Sequence, residues 1–123
     1  MDAEEFLERY AAGTRQFHKG NRQGIDLKGA DLSEIDLFSA NWNGADLSEA
    51  TLIRAKLNST SLSRASLTNA NLSGIEGSSI NLSWADLSDA DLQQIAIKRA
   101  TNKSNTGLCF MIYFCGGFDQ KLL

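Results

Sequence analysis

The chain has 123 residues and a mass of 13.4 kDa, the size of a single domain. A formal net charge of -3 with 22% charged residues excludes a disordered acidic tail and a basic nucleic-acid-binding domain. Hydrophobic residues make up 42%, yet 16 Leu and 14 Ala stand beside no Val and no Pro, which argues against an ordinary sandwich, barrel or doubly wound α/β domain.

Taken in chain order, residues 2–12 read as a helix. Asp2 is the N-cap with Glu5 three residues later, Phe6, Leu7, Tyr10 and Ala11 share one face, and Gly13 is the stop signal. The first residues lack the basic and apolar regions of a signal peptide, and no apolar run approaches the roughly 20 residues that span a bilayer. A cytoplasmic location is therefore expected. The lead-in that follows carries Phe17 and the single histidine, His18, which is expected to be a surface residue without a role, away from any repeat aspartate in register.

From Ile25 to Ser104 the sequence divides into sixteen consecutive pentapeptides without insertion or deletion, beginning IDLKG, ADLSE, IDLFS and ANWNG. The third position is Leu in 12 of them, with Trp42, Gly77, Ile97 and Asn102 as exceptions; the first is Ala in ten, Ile in five and Thr once, at Thr60. The second position favours Asp and Asn, and the fourth most often holds Ser. A period of five fits neither a helix nor a flat strand. A helix would rotate successive Leu residues by about 140°, and a strand would place them on alternating faces. The pattern requires a path that turns the same way every five residues and returns each Leu to the interior, which a solenoid provides.

The repeat resembles that of the pentapeptide repeat family, written A(D/N)LXX, over residues 20 to 104, and is similar to small cyanobacterial members. The resemblance implies an all-β solenoid: a right-handed quadrilateral parallel β-helix of about four coils, with an N-terminal capping α-helix. One pentapeptide forms each side and 20 residues each coil, with the central Leu and the small residue two positions before it pointing inward. At ~4.8 Å per coil the column is about 20 Å tall. Three segments follow: a capping helix and lead-in over 1–19, the β-helix over 20–104, and a C-terminal cap or dimer segment over 105–123. Stacking residues 20 apart gives the inward columns Leu27–Leu47–Leu67–Leu87, Leu32–Leu52–Leu72–Leu92, Leu37–Leu57–Gly77–Ile97 and Trp42–Leu62–Leu82–Asn102. Where Gly77 interrupts its column, the isoleucines at 35, 75 and 95 are expected to supply the missing volume, and Asn102 marks where the last coil opens. Phe17 falls on the inward register, whereas Arg22 and Gly20 replace the usual Leu and Ala.

The C-terminal run Leu108–Cys115 is apolar but too short for a membrane span. It is a strand or short helix over the last coil, a homodimer seam, or a lipid contact. Cys109 and Cys115 are expected to be free thiols, since two cysteines and one distant histidine fall short of a zinc site. Stacked carboxylates, such as Asp26 over Asp46, repel unless raised pKa values or a bound cation relieve them; alternatively Asp and Asn serve the turns through hydrogen bonds. Arg64 lies one coil from Trp84, a cation–π candidate. Phe38, Ile53, Arg64 and Trp84 are the candidate partner-contact residues. No catalytic, cofactor-binding or metal-ligating set stands out, so the chain is expected to be a non-enzymatic scaffold for protein–protein interaction without a cofactor, binding no nucleic acid directly. The family resemblance also supplies an alternative: a DNA-mimicking binder of a nucleic-acid enzyme such as DNA gyrase.

Overall fold

A five-residue repeat stays in register only if its backbone polar groups are paired the same way each time. In the computed structural model, which describes residues 1–101, they are. The pentapeptide Ile35–Ser39 illustrates the rule. The second residue, Asp36, donates its N–H to Arg15 O (2.8 Å) on the rung before. The third, Leu37, and the fifth, Ser39, donate to Lys56 O (2.9 Å) and Asn58 O (3.0 Å) on the rung after. The first residue of the next unit, Ala40, donates back to Leu37 O (2.9 Å), closing a turn. Parallel bridges accordingly join residues 20 apart, from Gln16↔Asp36 to Asn81↔Thr101. They lengthen into two paired parallel strands, β1 (Glu76–Ser78) and β2 (Ala96–Lys98), in the register Glu76↔Ala96. Four pentapeptides make each 20-residue rung of this β-helix. The ladder already includes Arg15 and Gln16, inside the 1–19 segment expected to be helix and lead-in. Asn102, Cys109, Cys115, the Leu108–Cys115 run and the expected 105–123 segment lie outside the described residues.

Burial follows the same period. Most first and third positions are buried along the column, and the second, fourth and fifth face outward or lie half-buried, with the buried Ser83 as an exception. The turn between units has a positive φ at the fifth position alone, as a type II turn demands, with non-glycine residues such as Glu34 (φ 62) and Trp84 (φ 62) held there. Thr60, the one polar first-position residue, is buried with its hydroxyl donating to Leu37 O at 2.7 Å.

Helix α1 (Ala3–Ala11) closes the first rung. Asp2 caps it, its carboxylate accepting from Glu5 N at 2.9 Å. The face turned to the column is Ala3, Phe6 and Tyr10; Leu7 and Ala11, expected on that face, are exposed. Phe6 is fully buried, with its ring centroid 4.2 Å from Phe17 and 5.3 Å from Trp42. Tyr10 adds a hydrogen bond from its hydroxyl to Ser33 O at 2.8 Å.

Two inward positions depart from the leucine ladder. At Gly77 (φ +149) a Cβ would stand 2.9 Å from Leu57 C and Asn58 N. The Gly77 backbone thus aims its Cβ position at the backbone of the preceding rung, where no side chain fits. Arg22 occupies an inward slot beside Phe6 and Phe17, its guanidinium 5.4 and 5.9 Å from their ring centroids. Its Nε and Nη1 are buried without a hydrogen-bond partner, as is Trp42 Nε1, which lies next in the same column. Burial lowers the Arg22 pKa, with the nearby Arg9 charge contributing.

Three substitutions test this packing by denaturant melts. Gly77→Ala should destabilise by about 1–3 kcal/mol, because backbone atoms cannot move aside as a side chain would. Ile75→Ala should cost ~2–5 kcal/mol through the cavity it leaves. Arg22→Leu should stabilise by about 1–3 kcal/mol by removing unpaired buried donors; a lower midpoint would show that the stacking of the guanidinium on Phe6 and Phe17 outweighs its lost hydration.

Candidate functional site

The rigid ladder leaves three outward positions per pentapeptide, and their chemistry is set by one leftover amide. The fourth-position N–H has no backbone acceptor. The Asp or Asn two residues earlier supplies it: Asp26 Oδ1 accepts from Lys28 N (3.2 Å), Asn41 Oδ1 from Asn43 N (3.0 Å), and Asp86 Oδ1 from Ser88 N (3.0 Å). Where the second position is Ser61 or Glu76, an asparagine from the preceding rung takes over, Asn43 accepting from Ser63 N at 3.0 Å and Asn58 from Ser78 N at 2.9 Å.

Serine at the fourth position adds a second bond. The Ser33 hydroxyl donates to Asp31 Oδ1 at 2.7 Å, and Ser48 and Ser88 do the same to Asp46 and Asp86 at 2.5 Å. These hydroxyl bonds, then the amide bonds, hold the carboxyls of Asp31, Asp46 and Asp86 below their ordinary pKa. Of the two readings of the second-position carboxylates, the turn hydrogen bonds are the one seen at these three positions; of the three, only Asp46 stacks directly on another aspartate, Asp26.

The outward candidates lie on three sides of the column. Phe38 is 40% exposed on the turn ending the first side, the column of pentapeptides that begin at Arg15, Ile35, Ala55, Ile75 and Ile95. Arg64 and Trp84, the latter 46% exposed, share the fifth-position column ending the second side, which begins at Gly20. Ile53 belongs to the fourth side and is half-buried. The expected cation–π pair of Arg64 with Trp84 does not form; among the described residues the cation–π contacts are those of Arg15 with Tyr10 and of Arg22 with Phe6 and Phe17.

His18 departs from expectation too. Its Nε2 lies 3.0 Å from Asp36 Oδ2, and its ring meets Phe38 edge-on with centroids 5.6 Å apart. The signal was available in the 20-residue register, which sets residue 18 against 36 and 38 once the ladder is extended back to Gln16. A shallow groove of about 460 Å³ runs where the fourth side meets the first, lined by Glu34, Arg54, Lys56, Gly74, Glu76 and Gln94. Its lining side chains are charged or amide-bearing apart from Gly74. Among the described residues no group of three His, Cys, Asp or Glu is placed to hold a metal, and no helix is long and apolar enough to cross a membrane.

The 20-residue rung and the period-five burial match a known repeat. The family model described as Pentapeptide repeats matches in 8 copies, over residues 30–69, 45–76 and 60–94. The chain belongs to the pentapeptide repeat family. The proteins of this family are quadrilateral β-helices, and two solved members share the architecture. A pentapeptide repeat protein from Nostoc PCC 7120, alr5209, is 28% identical with a TM-score of 0.85, covering 96% of each chain. The pentapeptide repeat protein Rfr23 from the cyanobacterium Cyanothece 51142 is 21% identical with a TM-score of 0.64, covering 85% of this chain and 81% of its own. No curated protein is significantly similar in sequence.

One substitution pair isolates the role of the second-position residue. Asp46→Asn keeps an acceptor for Ser48 N and should melt close to wild type at neutral pH; Asp46→Ala should lose about 0.5–1.5 kcal/mol. The sign of the pH effect follows from the lowered pKa values. Folded Asp31, Asp46 and Asp86 bind protons more weakly than the unfolded chain does, so their contribution is complete above the ordinary aspartate pKa of about 3.9 and disappears as the pH falls through the folded values. Thermal melts between neutral and acid pH should show stability falling in that window, less steeply in Asp46→Asn.

Proposed function

We propose that this chain is a non-enzymatic, cytoplasmic scaffold for protein–protein interaction. A right-handed quadrilateral β-helix of about four coils holds outward side chains rigidly for a protein partner, with Phe38, Ile53, Arg64 and Trp84 as contact residues. The observation that carries this is the contrast between the two kinds of position. Most inward slots hold buried apolar side chains, whereas Phe38 and Trp84 remain about half exposed on turns whose backbone is fixed by the ladder. Trp84 in particular sits in a left-handed conformation that gains nothing from so large a side chain. Exposed aromatic and arginine side chains on a rigid support lose little entropy on docking and are over-represented among the residues that dominate interfaces. The run 108–115 is a further apolar segment for capping or homodimer contact.

The DNA-mimicking alternative draws on the stacked aspartates of the third side, Asp26, Asp46 and Asp86. A net charge of -3 and the cations elsewhere on the column oppose it.

Affinity capture with wild type and with a Phe38→Ala, Trp84→Ala variant tests the scaffold. The variant should lose the specific partner while melting like wild type, and recovery of the same proteins by both would remove these residues from the contact surface. A gyrase supercoiling assay with micromolar protein should show neither inhibition nor protection; inhibition would favour the mimic.

A further inference from the structure

The distribution of charge around the column, rather than along it, singles out one surface. The second side presents Asn21, Asn41, Ser61 and Asn81 at its outward second position, with turns that carry Arg64 and Trp84. The turn that leads into it, at the end of the first side, carries Lys19, Phe38, Lys98 and Arg99. This strip holds four cations and no carboxylate of its own among the described residues, with Asp36 at its border held by His18 Nε2 at 3.0 Å and by Phe38 N at 3.2 Å. All ten carboxylates between Arg15 and Thr101, from Asp26 to Asp91, stand on the rest of the circumference, beside Arg15, Lys28, Arg54 and Lys56. Both exposed large hydrophobic side chains of the column, Phe38 and Trp84, lie on the carboxylate-free strip.

The turn chemistry sharpens the surface further. Asn21, Asn41 and Asn43 commit Oδ1 to backbone amides, and none of their Nδ2 groups donates within the described residues. Each therefore offers an N–H donor outward from a side chain already fixed in place, where an aspartate would offer a charged acceptor. The strip is thus cationic at both ends, donor-rich between them, and marked by two aromatic anchors.

We propose that this strip is the docking surface of the scaffold and that it receives an acidic polypeptide segment carrying apolar side chains. The inference rests on the interaction function proposed above and names the surface and the partner's chemistry. Carboxylates of the partner would face Lys19, Arg64, Lys98 and Arg99, its backbone carbonyls the asparagine amides, and its apolar side chains Phe38 and Trp84. A second copy of the chain presents its column carboxylates on faces where no large hydrophobic side chain is exposed among the described residues, so those faces match the charge without the apolar contact. A nucleic acid would meet the same cations, but the ten carboxylates around the rest of a slender rod repel a polyanion.

The test pans a random dodecapeptide display library against the full chain and titrates the selected synthetic peptides by tryptophan fluorescence. Trp42 is fully buried, so an emission change on binding reports Trp84. Trp84→Ser and Phe38→Ser are the strip variants, serine already occupying the corresponding turn slots at residues 59 and 78. Ile53→Ser and Glu49→Ser are the controls off the strip. The selected peptides should combine Asp or Glu with apolar residues, bind more weakly as salt rises, and lose about tenfold in affinity with either strip variant but not with the controls. Peptides that lose affinity with Ile53→Ser or Glu49→Ser and not with the strip variants would overturn the surface while leaving the scaffold function standing. Selection of no binding peptide would overturn both. Two further results would replace the acidic polypeptide as occupant: Trp84-dependent binding of oligo-dT, or concentration-dependent self-association abolished by Lys19→Glu.

Discussion

The structure depends on the repeated pairing of backbone N–H groups in a pentapeptide. Four of the five go to backbone carbonyls, three to neighbouring rungs and one to its own turn, which fixes 20 residues per rung and stacks like on like. The fifth amide has no backbone partner, and a short side chain with an acceptor two residues earlier satisfies it. The A(D/N)LXX pattern is the chemical statement of this arrangement. Alanine keeps the corner narrow, leucine fills the bore, and Asp or Asn serves the leftover amide. At two exceptions the same need is met from the preceding rung, Asn43 and Asn58 reaching across where Ser61 and Glu76 do not serve their own turns, while the amides of Ile53, Asn58 and Thr68 find no acceptor among the described residues.

Because the ladder fixes every turn, the outward residues can differ from side to side, while the second position most often keeps an acceptor for the leftover amide. Asparagine and aspartate perform the same internal task with Oδ1, but the remaining half of the group is a neutral donor in one and an anionic acceptor in the other. Exchange between the two rewrites the charge of a side while leaving the rung intact. That freedom accounts for a column whose second side is free of carboxylates while its third side stacks Asp26, Asp46 and Asp86 on one face.

Much of this was legible in the amino-acid sequence. The five-residue period placed Leu27, Leu47, Leu67 and Leu87 in one buried column, and Asp2 with Gly13 bounded the capping helix. The misses arise where the period does not carry the information. Helix α1 turns Ala3 to the column and leaves Leu7 exposed because its docking angle is set by Phe6 packing on Phe17 and Trp42. The close approach at Gly77 is a backbone property, invisible in a count of side-chain volumes. The contact of His18 with Asp36 followed from the register, but only once the ladder was carried back to Gln16. The lowered aspartate pKa values depended on serine hydroxyls whose orientation no spacing specifies.

Hydrogen exchange resolved at single amides tests the pairing scheme most directly. Through the interior rungs, amides at the first, second, third and fifth positions should be protected to nearly the global unfolding free energy. Those at the fourth position, held only by an Asx side chain, should exchange markedly faster, so that protection dips once every five residues. Uniform protection across the pentapeptide, or a dip at any other position, would contradict the scheme.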